Sequence, residues 1–306
     1  MILLPRLAVA ALLAAALFLA PPRARAQEPD PDLPRLVLVL SWDGLRPDAI
    51  EKAPAPRLLK LIEEGAYCPT AQTVFPSATL PGHTSMLTGL TVEKHRVIWN
   101  NWVPQLKINH PTFLDLAADA GMEVAIAAGK EKFYHFIEGH KVKTYLGEAP
   151  KTEGHWGARE LLGPVIEYLK KSRPRAMFIH FRDPDSAGHR HGWMSDPQMA
   201  AIRDCDEALG TLLAAIEADP DYRGRTTILL SADHGGHGKG HGSLDPVDMT
   251  IPWVAWGFGV ARGKRLVRPV RTYDIAATAL YLLGLDVPER WDGKPVFEAL
   301  YSGARR

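Results

Sequence analysis

Thr226-Thr-Ile-Leu-Leu-Ser-Ala-Asp-His-Gly-Gly-His-Gly-Lys-Gly-His-Gly242 is the stretch on which the reading of this chain turns. Residues 226–230 are apolar or β-branched and read as a short buried strand. Asp233 and His234 therefore stand at a strand end. His237 and His241 follow on a loop with five glycines between 235 and 242, which let the backbone turn sharply and approach a ligand closely. Carboxylate and imidazole together suit a borderline metal such as zinc. The competing reading is a flexible polar turn with solvated histidines; the loop alone leans towards metal, and the rest of the chain must decide.

Two other apolar runs end in the same kind of residue. Arg35-Leu-Val-Leu-Val-Leu40 leads into Ser41-Trp-Asp-Gly-Leu-Arg-Pro-Asp48, with Asp43 at its end. The competing reading of Asp43 is a turn-forming Asp-Gly pair. Ala176-Met-Phe-Ile-His-Phe181 leads into Arg182-Asp-Pro-Asp-Ser-Ala-Gly-His-Arg-His-Gly192. On one helical turn Asp185 and His189, four apart, share a face; His191 is the alternative ligand and would face away. A further strand over Met122–Ala128 ends at Gly129-Lys130, where Lys130 is either a site residue or an exposed helix-start lysine. Runs apolar on both faces imply a parallel sheet covered by helices, and open α/β sheets place their sites at the carboxyl ends of strands.

Helical spacing recurs between these runs, over Pro56–Gly65, Pro111–Ala120, Gly157–Lys171, Met199–Ala218 and Tyr273–Leu283. Ile251-Pro-Trp-Val-Ala-Trp256 reads as one more strand, with Pro252 at a strand start or an edge. The alternation predicts an α/β fold, a three-layer αβα sandwich with a largely parallel central sheet. Residues 91–111 and 131–155 read as irregular elaborations around the site. Pro81 near a helix start and Gly89 at its end put Thr79 at the N-terminal end of a short helix. A hydroxyl there is either an N-cap or a nucleophile beside an anion-binding helix end.

The chain has 306 residues. Residues 1–26 read as a cleaved signal peptide: Arg6, an apolar core from Leu7 to Ala20, and Ala24-Arg25-Ala26 as the cleavage signal. The expected location is periplasmic or secreted, after cleavage near Ala26. The core is too short to span a bilayer, and no membrane span is expected in the mature chain. Residues 27–306 are then expected to form a single catalytic domain, with 27–34 a disordered lead-in. The leader holds three arginines and no acids, so the formal charge of +1 becomes about −2 without it. That balance gives no basic footprint for nucleic acid. Cys68 and Cys205 are the only cysteines; a disulfide is permitted in an exported protein, as are two free thiols.

Three strand ends thus carry Asp43, then Asp185 with His189, then Asp233 with His234 and His241. Six nitrogen and oxygen ligands with a nearby hydroxyl are what two adjacent metal ions need. On Ser41–Asp48, Phe75-Pro-Ser-Ala-Thr-Leu-Pro81, Pro184-Asp-Ser-Ala-Gly-His189 and Ala232-Asp-His-Gly-Gly236, the chain resembles the alkaline phosphatase superfamily, and within it the type I phosphodiesterase/nucleotide pyrophosphatase family. The likeness runs over roughly residues 35–300 and includes Asp274-Ile-Ala-Ala-Thr-Ala-Leu-Tyr-Leu-Leu-Gly284. It implies two zinc ions, one held by Asp43, Thr79, Asp233 and His234, the other by Asp185, His189 and a third histidine. His241 is the first choice for that last ligand and His237 the reserve. It also implies Thr79 as nucleophile and a phosphothreonine intermediate in phosphate ester hydrolysis.

The family's pattern is not complete. Gly82 stands where the nucleotide pyrophosphatases have an asparagine that touches phosphate. Asn100 and Lys130 are the candidate substitutes, as an asparagine and a lysine serve in some threonine phosphomonoesterases that the chain also resembles. The sulfatase signature is absent around Thr79. The substrate is expected to be a small phosphate ester. Monoester or phosphonate hydrolysis is the alternative within the class, and a non-catalytic periplasmic metal-binding protein the alternative outside it.

Overall fold

The computed structural model describes residues 30–151 and 156–301. The expected leader, 1–26, lies outside the described residues. In chain order the elements are β1 (Leu36–Trp42), α1 (Pro47–Lys52), α2 (Pro56–Glu64), β2 (Ala66–Gln72), α3 (Thr79–Thr88), α4 (Val92–His95), α5 (Phe113–Asp119) and β3 (Val124–Ala128). A 3-10 turn (Glu131–Phe136) and β4 (Thr144–Gly147) follow. Then come α6 (Ala158–Ser172), β5 (Ala176–Phe181), α7 (Asp183–His191), α8 (Asp196–Ala218), β6 (Thr226–Ser231), α9 (Pro246–Met249), β7 (Thr250–Gly257), β8 (Lys264–Arg265) and α10 (Asp274–Leu282). The described residues from Pro31 onward form one compact unit.

One sheet runs in the order β4-β3-β5-β1-β6-β7-β2-β8. The β4, β3, β5, β1 and β6 strands are parallel neighbours; β7 is antiparallel to both β6 and β2. Every residue of β1, β3, β5 and β6 is buried, as apolar runs covered on both faces require. Their register decides where the site lies. Ser41 is level with His180 on one side and Ser231 on the other, and His180 is level with Ala128. Four parallel strands therefore end flush. Asp43, Asp233 and Lys130 each follow two residues after that level.

The observed α/β sandwich is the expected class, with three local differences. Residues 131–155 include a true sheet edge, β4, paired parallel to β3; at four half-buried residues it is too short to announce itself by periodicity. Pro252 lies inside β7, which is an interior strand, and not at an edge. The β2–β7 register shifts between Cys68 and Ala71, and such an irregularity absorbs the missing N–H of Pro252 and of Pro69 opposite it. The lead-in is tied down from Leu33: Arg225 Nη2 donates to the Leu33 carbonyl at 2.6 Å and Arg175 Nη2 to that of Pro34 at 3.2 Å. Cys68 and Cys205 are both buried free thiols.

The helix layer on one face is pinned by Asp206 of α8, which is fully buried. Its carboxylate accepts the backbone N–H groups of Leu58 (2.8 Å) and Arg57 (3.2 Å) and the Arg57 guanidinium (3.3 Å). It thus caps α2, whose own N-cap residue, Ala55, has no side chain that can do so. Asp206→Ala is expected to leave those donors unpaired and lower folding stability by about 1–3 kcal/mol. Urea denaturation should show this as a lower midpoint with an unchanged slope; an unchanged midpoint would remove Asp206 as the cap.

Candidate metal centre

The strand ends bring two sets of three ligand atoms together. Asp43, Asp233 and His234 form one set and Asp185, His189 and His241 the other, each set with its ligand atoms within 4.8 Å of one another. In the first, His234 Nε2 is 3.3 Å from Asp43 Oδ1 and 3.2 Å from Asp233 Oδ2. In the second, His189 Nε2 is 3.2 Å from Asp185 Oδ1, and His241 Nε2 is 3.2 Å from His189 Nε2 and 3.6 Å from Asp185 Oδ1. The rings of His234 and His241 stack at 3.7 Å, which places the two sets side by side. α7 supplies Asp185 and His189 from one face, as their spacing predicts, and leaves His191 exposed.

The donor atoms fit metal ions by a specific test. Asp43 Oδ1, Asp185 Oδ1, Asp233 Oδ2 and His234 Nε2 are buried without a hydrogen-bond partner. Buried polar atoms are normally paired, so four orphans converging in one pocket call for a cation. The other ring nitrogen of each ligand histidine is already engaged. Nδ1 of His234 lies 2.7 Å from the Gly235 carbonyl, that of His189 3.0 Å from Lys239, and that of His241 2.9 Å from Ser77. A carbonyl can only accept, so each Nδ1 carries the proton and each Nε2 presents its lone pair inward.

Electrostatics point the same way. Burial, and then the Asp43 charge, push the Asp233 carboxyl up to about 7. Burial opposes charge on His234, but Asp233 and Asp43 outweigh it and raise the ring to about 9. Burial and His234 lower His241 to about 4. Burial aside, the raised values of Asp233 and His234 reflect negative charge concentrated in the pocket.

Lys130 partly answers that charge. Its ammonium donates to Asp43 Oδ2 and to Asp185 Oδ2, both at 2.6 Å, and lies 3.4 Å from Thr79 Oγ1. Burial disfavours the charged form, but Asp185, Asp43 and Asp233 outweigh it and hold the lysine above its usual range. Lys130 thus bonds to the carboxylate oxygens that the two ligand sets leave over, one from each set.

Thr79 is buried and is the first residue of α3. The N-cap is Ala78, with no side-chain cap bond, so the Thr79 hydroxyl does not spend itself on capping. Asn100 Oδ1 accepts the Leu80 N–H at 2.9 Å and the Lys132 ammonium at 3.1 Å. Its amide nitrogen is therefore the end left for a ligand. Gly82 is not a vacated donor position. A Cβ there would lie 2.7 Å from the Asp233 carbonyl oxygen, so the glycine lets α3 close on the ligand strand. His237 stands apart from both sets: its Nδ1 bonds to Asp248 at 2.8 Å.

Sequence reasoning missed several neighbours. Lys132, lowered to about 8 by burial and by Lys130, follows Lys130 by two and was hidden in a segment read as elaboration. Trp193 packs edge-on to His189 and His241, and its Nε1 donates to the Gly44 carbonyl at 3.0 Å. A Cβ at Gly188 or Gly236 would stand 2.8 or 2.2 Å from that indole, which explains two of the motif glycines. His83 and His180 lie fully buried beneath the carboxylates; apolar surroundings gave no signal for them.

The type I phosphodiesterase / nucleotide pyrophosphatase family matches residues 37–238, and the chain belongs to that family, within the alkaline phosphatase superfamily. A bis(5'-adenosyl)-triphosphatase of Mus musculus is 24% identical over 227 residues, which is 67% of this chain and 48% of that protein. The chain spans about half the length of the curated relatives it matches. Human ectonucleotide pyrophosphatase/phosphodiesterase 5 superposes with a TM-score of 0.72 at 16% identity, over 87% of this chain and all of that one. The murine counterpart, solved in an inactive form in complex with AMP, gives 0.70 at 16% identity, over 84% of this chain and 97% of that one. At such identities these structures speak for the fold.

Two ions are the expected metal content. Elemental analysis of the purified protein should give about two zinc per chain. Asp185→Ala or His241→Ala should lower that number, whereas His237→Ala should leave it unchanged. Loss of zinc in His237→Ala with none in His241→Ala would reverse the ligand assignment.

Proposed function

We propose that this chain is an exported, two-zinc phosphoric ester hydrolase, phosphodiesterase- and nucleotide-pyrophosphatase-like, that works through a phosphothreonine on Thr79. The export rests on the leader-like residues 1–26 and the single catalytic domain on residues 27–306; among the described residues no helix is long and apolar enough to cross a membrane. The observation that carries the chemistry is the pair of adjacent three-ligand sets with orphaned inward lone pairs beside an uncapped, buried threonine hydroxyl. Family membership and the phosphate ester chemistry named for the relatives support the same reading.

Asp43, Asp233 and His234, with Thr79, would hold one ion, and Asp185, His189 and His241 the other. Bound zinc supplies Lewis acidity, which lowers the pKa of a hydroxyl and offsets charge on a leaving oxygen. The chain's own residues do the rest. Thr79 Oγ gives up its proton and attacks phosphorus; the Oγ–P bond forms as the bond to the leaving ester oxygen breaks, and that oxygen leaves protonated. Water then cleaves the Oγ–P bond, restoring the hydroxyl and releasing a phosphomonoester from a diester or inorganic phosphate from a monoester. The Asn100 amide and the Lys132 ammonium face the phosphoryl oxygens; Lys130 clamps the carboxylates and stands within 3.4 Å of the nucleophile.

A second reading, phosphomonoester hydrolysis, has one observation in its favour. Two lysines, Lys130 and Lys132, reach the Thr79–Asn100 pair, and a monoester carries one more charge than a diester. Phosphonate hydrolysis uses the same groups. A non-catalytic metal-binding protein would hold zinc without turning anything over, and it leaves the threonine and its donors without employment.

Thr79→Ala should fold and retain zinc, since the three other ligands of its set remain, while turnover falls by several orders of magnitude because the covalent route is gone. Thr79→Ser should keep partial activity. Acid quenching of the wild type during turnover, followed by peptide mapping, should find phosphate on Thr79. Phosphate elsewhere, or wild-type turnover in Thr79→Ala, would end this mechanism. Comparing p-nitrophenyl phosphate with its bis ester separates the two substrate readings. Lys132→Ala should cost the monoester about ten- to a hundredfold more than the diester if a charge-assisted bond of roughly 1.5–3 kcal/mol is lost.

A further inference from the structure

His180 is a histidine in the middle of a buried apolar strand, β5, and is fully buried. It belongs to neither ligand set, and the reading proposed above gives it no work. Its two nitrogens are nonetheless both committed. The Gly129 N–H donates to Nδ1 at 3.3 Å, so Nδ1 is an acceptor and the ring proton sits on Nε2. That Nε2–H lies 2.8 Å from Asp43 Oδ2. The ring is locked in plane by neighbours: Phe133 packs against it at 4.3 Å, and His83 meets it edge-on at 5.2 Å. The parallel register of β1 and β5 makes His180 level with Ser41, two residues before the carboxylate it touches.

Asp43 has few other constraints on its side chain. Its Oδ2 takes the His180 proton and the Lys130 ammonium. Its Oδ1 is left buried and unpartnered, 3.3 Å from His234 Nε2. A carboxylate rotates about one bond. Fixing Oδ2 on a rigid, tautomer-defined donor therefore aims Oδ1. Lys130 is long, flexible and shared with Asp185, so it cannot fix that orientation alone.

We infer that His180 is the positioning residue of the Asp43, Asp233 and His234 set: through Nε2–H it holds Asp43 so that Oδ1 points at the metal position. It acts through Asp43 and touches neither substrate nor metal. The inference rests on the reading of that set as a metal site. Outer partners of this kind typically change metal affinity by about ten- to a hundredfold.

The test is a two-step zinc titration against a chelator of known affinity, run on the apo form of the full chain. Cobalt(II) substitution gives a second readout in the visible spectrum. His180→Phe keeps an aromatic ring of similar volume and removes the N–H. It should weaken one of the two zinc steps about ten- to a hundredfold, change the cobalt spectrum of that step, and leave the other step at its wild-type affinity. His180→Gln carries an amide N–H that can reach the place of Nε2, and should restore most of the affinity. The apo melting temperature of each variant separates stability from positioning. Two wild-type zinc steps in His180→Phe, or both steps weakened in proportion to a fall in melting temperature with no rescue by glutamine, would overturn the role of His180 while leaving the metal site in place. A wild-type protein that binds no zinc would overturn the metal site, and the positioning role with it.

Discussion

Three carboxylates, those of Asp43, Asp185 and Asp233, are buried together at one edge of the sheet, and most features of the site answer that fact. Asp43 and Asp233 present oxygens within 4.8 Å of one another. Two like charges at that distance repel by roughly 3–4 kcal/mol even at an effective dielectric near 20. Desolvation adds to the cost, and it is the largest influence on each of the three. A fold keeps such a cluster only where cations compensate it. Here Lys130 supplies one positive charge, and the inward lone pairs of three histidines mark where more belongs.

The sheet explains how so little sequence assembles so much charge. Parallel strands β3, β5, β1 and β6 are neighbours with matched ends. A residue placed just beyond each end falls within reach of its counterparts, although Asp43 and Asp233 are 190 positions apart. The loops then need only local devices. α7 sets Asp185 and His189 one turn apart, the glycine loop brings His241 beside them, and Trp193 packs against Gly188 of α7 and Gly236 of the loop, tying the two together. In α3, Gly82 leaves out a Cβ that would lie 2.7 Å from the Asp233 carbonyl oxygen, so the helix that begins at Thr79 can close on Asp233.

This division decides what can be read from the chain. Apolar runs ending in an acid are visible because strand, end and ligand are contiguous in sequence. Asp43, Asp185 and Asp233 were legible for that reason, and His189 and His234 by short spacing. The choice between His237 and His241 was not, because it depends on Asp248 of α9 capturing one ring and the Ser77 carbonyl the other. Supporting residues are harder still. His180 on β5 and His83 on α3 both bond to residues of β1 or its end, partners that no local pattern names. The short edge strand β4 and the interior Pro252 were misjudged because pairing partners, and not the residues themselves, determine their state.

Lys130 is singled out by its place at a strand end and, through resemblance, as a phosphate donor. The geometry ties its ammonium to Asp43 and Asp185, one oxygen from each ligand set, while Lys132 reaches Asn100 and stands free of the carboxylates that bear the ligand atoms. Removing Lys130 therefore disturbs the contact to Thr79 and the orientation of both carboxylates at once. A rate loss in that variant does not by itself report a contact with substrate. Lys132 is the cleaner probe of the proposed phosphate contact, because its loss removes no hydrogen bond from Asp43 or Asp185. Lys130 follows β3 by two residues and Lys132 lies on the 3-10 turn beyond it; the first bonds to Asp43 and Asp185, the second to Asn100.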